Sequence, residues 1–294
     1  EAPWVGDRLV GLLRQALGGD PVSLLVPGSS GCLGHGGLLL IGGGPEAVAD
    51  VRERVGSDPS LAAMRVPWEW PLTTRLTTDD WPYLYLERPG VPTYHVLVGV
   101  GCLVLGLALR RRLFRPGEPV DAPMLLLGAG FMLLEVAGVS RAALLFGTTW
   151  TVNAWVVGTL LCMALVANLV AARWSVRPDG WPFGGLFVTL LALAFVPVGW
   201  LVSLPGLVRV VVGAAFLTLP VFFSGLVFIG LWARSERRDL ALGSNILGAL
   251  LGGLASLLSM AIGFQSLMFL ALAIYLGALL AVRNGREPTT AGTT

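Results

Sequence analysis

From residue 93 onward the apolar residues fall into seven long runs, near 93–110, 122–140, 150–172, 184–204, 207–232, 243–262 and 265–282. Each run is bounded by Arg, Pro, Gly or Trp, and its apolar side chains surround the helix they would form instead of lining one stripe. A bilayer core about 30 Å thick is crossed by about 20 apolar residues in a helix. A helix apolar on every side is one whose solvent is lipid. The pattern predicts a mainly α protein: a polytopic membrane bundle of about seven spans over residues 93–294.

Residues 1–92 follow a different rhythm. Asp7 to Leu17 has a helical period, with Leu9, Leu12, Leu13, Ala16 and Leu17 on one side. Val22–Val26 and Leu38–Ile41 are short strand candidates separated by a Gly-rich turn. Gly42-Gly-Gly-Pro45 opens a helix through about Val55, proline being suited to the first helical turn. Asp58-Pro59 is an N-cap followed by proline at the first helical position, which marks another short helix. This order of elements predicts a small α/β piece, the remnant of a Rossmann-like domain, too short for a complete doubly wound sheet.

Composition sharpens the division. Of the 294 residues 55% are apolar and 13% charged, with a mean hydropathy of +0.76. A soluble domain carries roughly 25% charged residues. Residues 1–92 hold seven Arg against eleven acids, a net −4, whereas residues 93–294 hold thirteen Arg against seven acids, a net +6. All twenty basic residues are Arg, and none forms a stripe interleaved with aromatics, so nucleic-acid binding is not expected. Cys32, Cys102 and Cys162 support neither a disulfide framework nor a zinc site with tandem cysteine pairs. The opening Glu1-Ala-Pro-Trp has no leader pattern and fits the C-terminal part of a longer protein.

Arginine placement orients the spans. Alternate connections and the tail hold Arg110, Arg111, Arg112, Arg115, Arg173, Arg177, Arg234, Arg237, Arg238, Arg283 and Arg286, while the others hold only Arg141 and Arg209. The Arg-rich side is expected in the cytoplasm, which gives an inner-membrane protein with a cytoplasmic C-terminus. An odd number of spans then puts residues 1–92 outside.

Three features bear candidate chemistry. Glu135 is an acid deep in the second run, where a carboxylate needs a partner, a proton or water. Arg141 lies about 240° around the same helix, so Asn153, Asn168 and Asn245 on other runs are the expected hydrogen-bond partners. A proton relay, an ion site and a packing role all remain open. Leu76-Thr-Thr-Asp-Asp-Trp-Pro-Tyr-Leu-Tyr-Leu86 sets Asp79 and Asp80 beside Trp81, Tyr83 and Tyr85. It reads either as a cation or amine site with π faces or as a polar turn into an aromatic strand. Ser244, Gly248, Gly252 and Ser256 recur every four residues and make a face of small side chains for close helix–helix association. The glycines at 42–44 lack the full G-x-G-x-x-G pattern, and those at 31–37 lack the Lys-Ser/Thr of a P-loop. His35 near Cys32 supplies two ligands, which do not make a metal site.

The segment Thr78-Asp-Asp-Trp-Pro-Tyr-Leu-Tyr-Leu86 resembles the Thr-Asp-Asp-Arg/Trp-Pro stretch near the end of the catalytic domain in bacterial membrane-bound spermidine synthase-like proteins. Gly128-Ala-Gly-Phe-Met-Leu-Leu-Glu135, Leu144-Leu-Phe-Gly-Thr-Thr-Trp-Thr-Val-Asn153, Pro220-Val-Phe-Phe-Ser-Gly-Leu-Val-Phe228 and Gly243-Ser-Asn-Ile-Leu-Gly-Ala-Leu-Leu-Gly-Gly253 are similar to the membrane region of that group. The resemblance covers roughly residues 70–282. Two positions depart from it: Ser256-Leu257 stands where the family pattern has Glu-Tyr, and Ala137 where it often has Lys. The resemblance implies an aminopropyltransferase-like parent that uses decarboxylated S-adenosylmethionine, with the cofactor pocket and amine-positioning acids upstream. No cofactor site is expected in this chain, and Asp79, Asp80 and Glu135 are its candidate catalytic positions. A transporter or channel and a non-catalytic membrane scaffold are the alternatives, the lipid bilayer being the partner in every case.

Overall fold

The computed structural model describes residues 3–27, 37–67, 74–113, 119–147, 150–177, 179–196 and 199–285, and the side chains of all of these but 3, 110–113 and 151–153. The Gly-rich turn with Cys32 and His35, and the side chain of Asn153, thus lie outside the described residues. The chain divides into two compact units, Glu1–Pro89 and Gly90–Thr294.

The first unit opens with α1 (Pro3–Leu17) and β1 (Val22–Val26), followed by β2 (Gly37–Ile41), α2 (Pro45–Ser57) and α3 (Pro59–Ala63). Proline starts both α2 and α3. Asp58 caps α3, its carboxylate accepting from the Ser60 and Leu61 amides at 2.8 and 3.4 Å. These bonds, together with one from the Ser60 hydroxyl, hold the Asp58 carboxyl below its ordinary range. Val22 and Leu24 of β1 pack with Val48, Val51 and Val55, one face of α2. β1 and β2 pair antiparallel, Val22 facing Ile41 and Val26 facing Gly37. A Rossmann-like remnant calls for parallel neighbours instead. The ten residues between these strands are too few for the crossover that parallel strands require, so the hairpin corrects that expectation. On the other edge of β1, Leu25 N–H donates to Met64 O at 2.7 Å and Val66 N–H to Ser23 O at 3.0 Å.

The burial of α1 also departs from its sequence period. Arg8, Val10 and Gly11 are buried, while Leu9, Ala16 and Leu17 are exposed. The reason is Arg8, which is drawn inward by backbone carbonyls described below.

The second unit is all helical: α4 (Thr93–Leu113), α5 (Ala122–Phe146), α6 (Trp150–Arg173), α7 (Trp181–Phe195), α8 (Gly199–Val202), α9 (Gly206–Arg234), α10 (Arg238–Ser256) and α11 (Ser259–Asn284). Among the described residues five helices are long and apolar enough to cross a membrane: α5, α6 from Ala154, α9, α10 and α11. Thr93–Leu109 and Trp181–Phe195 are shorter apolar helices. The fourth run does not form one helix. Val196 is extended (φ −79°, ψ 118°), as a residue preceding proline tends to be, and here Pro197 follows it. The sixth run ends at Ser256, earlier than its apolar stretch suggests. α11 then bends at Gly263, whose φ of 83° favours glycine. α5 continues past residue 140 to Phe146, so Arg141 lies within a helix and not in a connection.

α5 is the centre of the helical unit, packed against α9, α10 and α11; α9 also carries α6 and α7. The small face of α10 meets α5. An added Cβ at Gly248 would stand 1.8 Å from Leu125 O, and one at Gly252 would stand 2.2 Å from Ala129 O. From the α5 side, a Cβ at Gly128 would stand 2.1 Å from Asn245 O. The two backbones are in van der Waals contact over two turns. Ser244 Oγ accepts from Asp121 N–H at 3.0 Å and Asn245 Nδ2 donates to Met124 O at 3.0 Å, which locks the register. At the far side of α5, the ring of Tyr275 fills the place of a side chain at Gly130.

Candidate functional site

Asp79 and Asp80 occupy the two tip positions of a tight turn. Thr78 and Trp81 exchange backbone hydrogen bonds at 3.0 and 3.2 Å, and Thr78 Oγ1 also accepts from Trp81 N–H. Both acids are exposed. The residues after them continue as turns, not as an aromatic strand: Leu84 N–H donates to Pro82 O and Leu86 N–H to Tyr83 O.

These turns converge on Arg8, which sequence reasoning counted only as part of an amphipathic helix. Its Nε donates to Arg75 O at 2.7 Å, and its Nη1 to Leu84 O at 2.7 Å and to the carbonyls of Tyr83 and Leu86. Its Nη2 donates to Glu87 O at 2.8 Å. The Arg8 guanidinium lies 5.1 Å from the Trp81 ring centroid and that of Arg75 lies 5.4 Å from it. Burial lowers the Arg8 pKa, and the Glu87 carboxylate offsets part of that. The indole proposed from sequence as a π face for an external amine is therefore occupied by the chain's own cations. A polar residue within an apolar period, followed far along the chain by a Pro- and Tyr-rich turn, was the only signal for this arrangement.

In the helical unit Glu135 is half-buried near the midpoint of α5 and forms no hydrogen bond or ion pair with a described residue. Asn168 and Asn245, two of the three amide partners expected for it, are engaged elsewhere. Asn168 Nδ2 donates to Ala164 O of its own helix at 2.9 Å, and Asn245 bridges to Met124. Nothing described depends on the carboxylate. Glu135→Gln is accordingly expected to elute from size exclusion in detergent as the native chain does; an aggregated profile would assign the carboxylate a packing role.

Arg141, buried in α5, donates through Nη1 to Leu193 O, and Gln265 Nε2 donates to Ala194 O at 3.2 Å. The two side chains satisfy carbonyls in the last turn of α7, which have no partner within their helix once it stops. A cation at a helix C-terminus also complements the macrodipole. This pair explains how a helix can end among apolar neighbours.

The amides of Asn168 and Asn245 share a partly open cavity of about 330 Å³ lined by α5, α6, α9 and α10. Asn168, Asn245 and Ser224 supply its polar groups, Phe131 and Phe228 its aromatic walls. Ser224 Oγ and Tyr275 Oη share a hydrogen bond of 3.0 Å. Counted along the helices at 1.5 Å per residue, these groups lie about 7–15 Å from the C-terminal ends of α6 and α9 and the N-terminal ends of α5 and α10. Those are the ends that adjoin the Arg-rich connections. Asp79 and Asp80 belong to the other unit, and Glu135 follows Phe131 by one turn of α5 without lining the cavity. No protein-family model matches this chain, and no curated protein or solved structure matches it.

Proposed function

We propose that this chain is the membrane-embedded C-terminal portion of a spermidine synthase-like protein and does not itself carry out group transfer. The observation that carries this reading is the presence in one chain of the Thr78–Leu86 segment, folded as turns around Arg8, and a bundle with five helices suited to a bilayer. Asp79 and Asp80 project from a turn tip, and the indole beside them is covered by Arg8 and Arg75. This arrangement supports the reading of a segment that does not carry the chemistry by itself.

Seven crossings with the tail cytoplasmic are the finer reading of the bundle, and this reading opposes the transferase parentage because it puts residues 1–92 outside. Trp181–Phe195 and Gly199–Val202 between α6 and α9 supply apolar helix for a further crossing, which supports this reading. The apolar stretch of α4, Thr93–Leu109, would supply the remaining crossing, with Arg110, Arg111 and Arg112 at its end. The Arg count then sets the Arg-rich ends in the cytoplasm of an inner-membrane protein.

Incubated with decarboxylated S-adenosylmethionine and an aliphatic diamine, the purified chain is expected to release no aminopropylated product by mass spectrometry; turnover would overturn the assignment of an inert fragment. Reporter fusions at both ends test the parentage. A domain that draws an S-adenosyl cofactor from the cytoplasm keeps residues 1–92 there, whereas seven crossings with a cytoplasmic tail put them outside. An external N-terminal reporter would remove the transferase parentage and leave transport or scaffolding. Transport is favoured by one observation, Glu135 at mid-helix without a partner among the described residues. Proton-coupled flux in vesicles that Glu135→Gln abolishes would establish it.

A further inference from the structure

We infer that the cavity between α5, α6, α9 and α10 is a binding site for a neutral, bilayer-dissolved molecule of about two fused rings that carries a hydrogen-bond-donating head, such as a phenol or an alcohol. This site does not depend on the family resemblance. Its volume of about 330 Å³ is roughly twice the ~150 Å³ cavity that admits one benzene ring. That size sets the apolar body of the ligand, which Phe131 and Phe228 would face.

The head follows from the amides. Nδ2 of Asn168 and Nδ2 of Asn245 are each committed to a backbone carbonyl. Their Oδ1 atoms accept no hydrogen bond from the described residues, although both side chains line the cavity. Neither oxygen is among the fully buried unpartnered atoms of the described residues, but where lipid takes the place of water both are left short of a donor, and an unpaired acceptor there is costly. A hydroxyl supplies the donor that an acyl chain lacks.

Charge is excluded by the lining. No ionisable side chain is among it, and an unpaired ion transferred into such a space would shed its charge or leave. The route in is lateral: Asn168 is exposed, and little of the membrane-length stretch of α6 is buried. The Asn168 amide is thus reachable from the bilayer without opening the α5–α10 contact.

The test uses the whole chain in phosphatidylcholine nanodiscs, with 2-naphthol as the probe and naphthalene as its donor-free counterpart. Protein-dependent change in probe fluorescence is read after subtraction of empty nanodiscs. 2-Naphthol is expected to saturate, and naphthalene to bind about tenfold more weakly, the loss that one hydrogen bond brings. Asn168→Leu should weaken 2-naphthol by about the same factor and leave naphthalene unchanged, since Asn168 bonds only its own helix. Ala164→Leu, which fills the space, should abolish saturable binding of both probes. Equal binding of the two probes would mean that the space takes any apolar chain, and would overturn the site. Non-saturating partition of 2-naphthol, or Asn168→Leu binding it as the native chain does, would overturn it equally.

Discussion

Gly248→Ala is expected to cost the helical unit about 3 kcal/mol or more, at the upper end of what overpacking does. The added methyl would sit 1.8 Å from Leu125 O. Because the obstacle is backbone, no rotamer change relieves it. α10 would have to move off α5 by an ångström or more, and the Asn245–Met124 and Ser244–Asp121 hydrogen bonds would lengthen with it. For a domain of this size the melting temperature in detergent should fall by about 6–12 °C. Gly253, on the same helix, is the control. A Cβ there meets only Met132 Cε, at 4.0 Å. Gly253→Ala should melt at or slightly above the native temperature, since alanine is the better helix former. Coincident melting of Gly248→Ala and the native chain would mean that the two backbones do not approach as described.

Arg8→Met should release the turns of residues 75–87 and expose residues 1–89 to protease in the otherwise intact protein. The guanidinium satisfies carbonyls of Arg75, Tyr83, Leu84, Leu86 and Glu87. Hydrogen bonds to a charged donor contribute about 1.5–3 kcal/mol each, and buried carbonyls stripped of their donor incur a penalty of similar size. A loss of about 3 kcal/mol is therefore a lower expectation. Arg8→Lys retains the charge but not the planar fork, so it should protect only partly. Trp81 gives a second readout: without the cation at 5.1 Å, its fluorescence should change in Arg8→Met. Unaltered cleavage kinetics would mean that the turns hold without their arginine.

Much of the fold is local chemistry and is readable as such. Runs of apolar residues long enough for a bilayer fold as helices irrespective of their neighbours, because within an apolar medium each backbone group has to be satisfied inside its own segment. Pro45, Asp58 and Pro59 act on the turn they belong to, and α2 and α3 start where those residues stand. The small face of Ser244, Gly248 and Gly252 follows from a four-residue repeat, and its use in close packing follows from size alone. The break in the fourth run, at the extended Val196 before Pro197, is equally local, although the apolar run by itself reads as unbroken.

What could not be read this way depends on residues far apart in the chain. The Arg8 guanidinium and Leu84 O are 76 positions apart, and the Asn245 amide and Met124 O are 121 apart. Local periodicity gave Arg8 no place in the core because it cannot register carbonyls supplied by a distant turn. It paired the asparagines with Glu135 because both are polar residues in apolar runs, whereas rotation and depth of the helices bring Asn168 and Asn245 to a cavity instead. Antiparallel pairing of β1 and β2 was likewise a matter of which edges meet. The sequence by itself determined the number of apolar runs, their lengths and several of their ends, since these follow from transfer free energy and capping within a few residues. Only the tertiary structure decided which polar groups face one another, since in a low-dielectric interior a donor is placed by the acceptors that the rest of the chain brings to it.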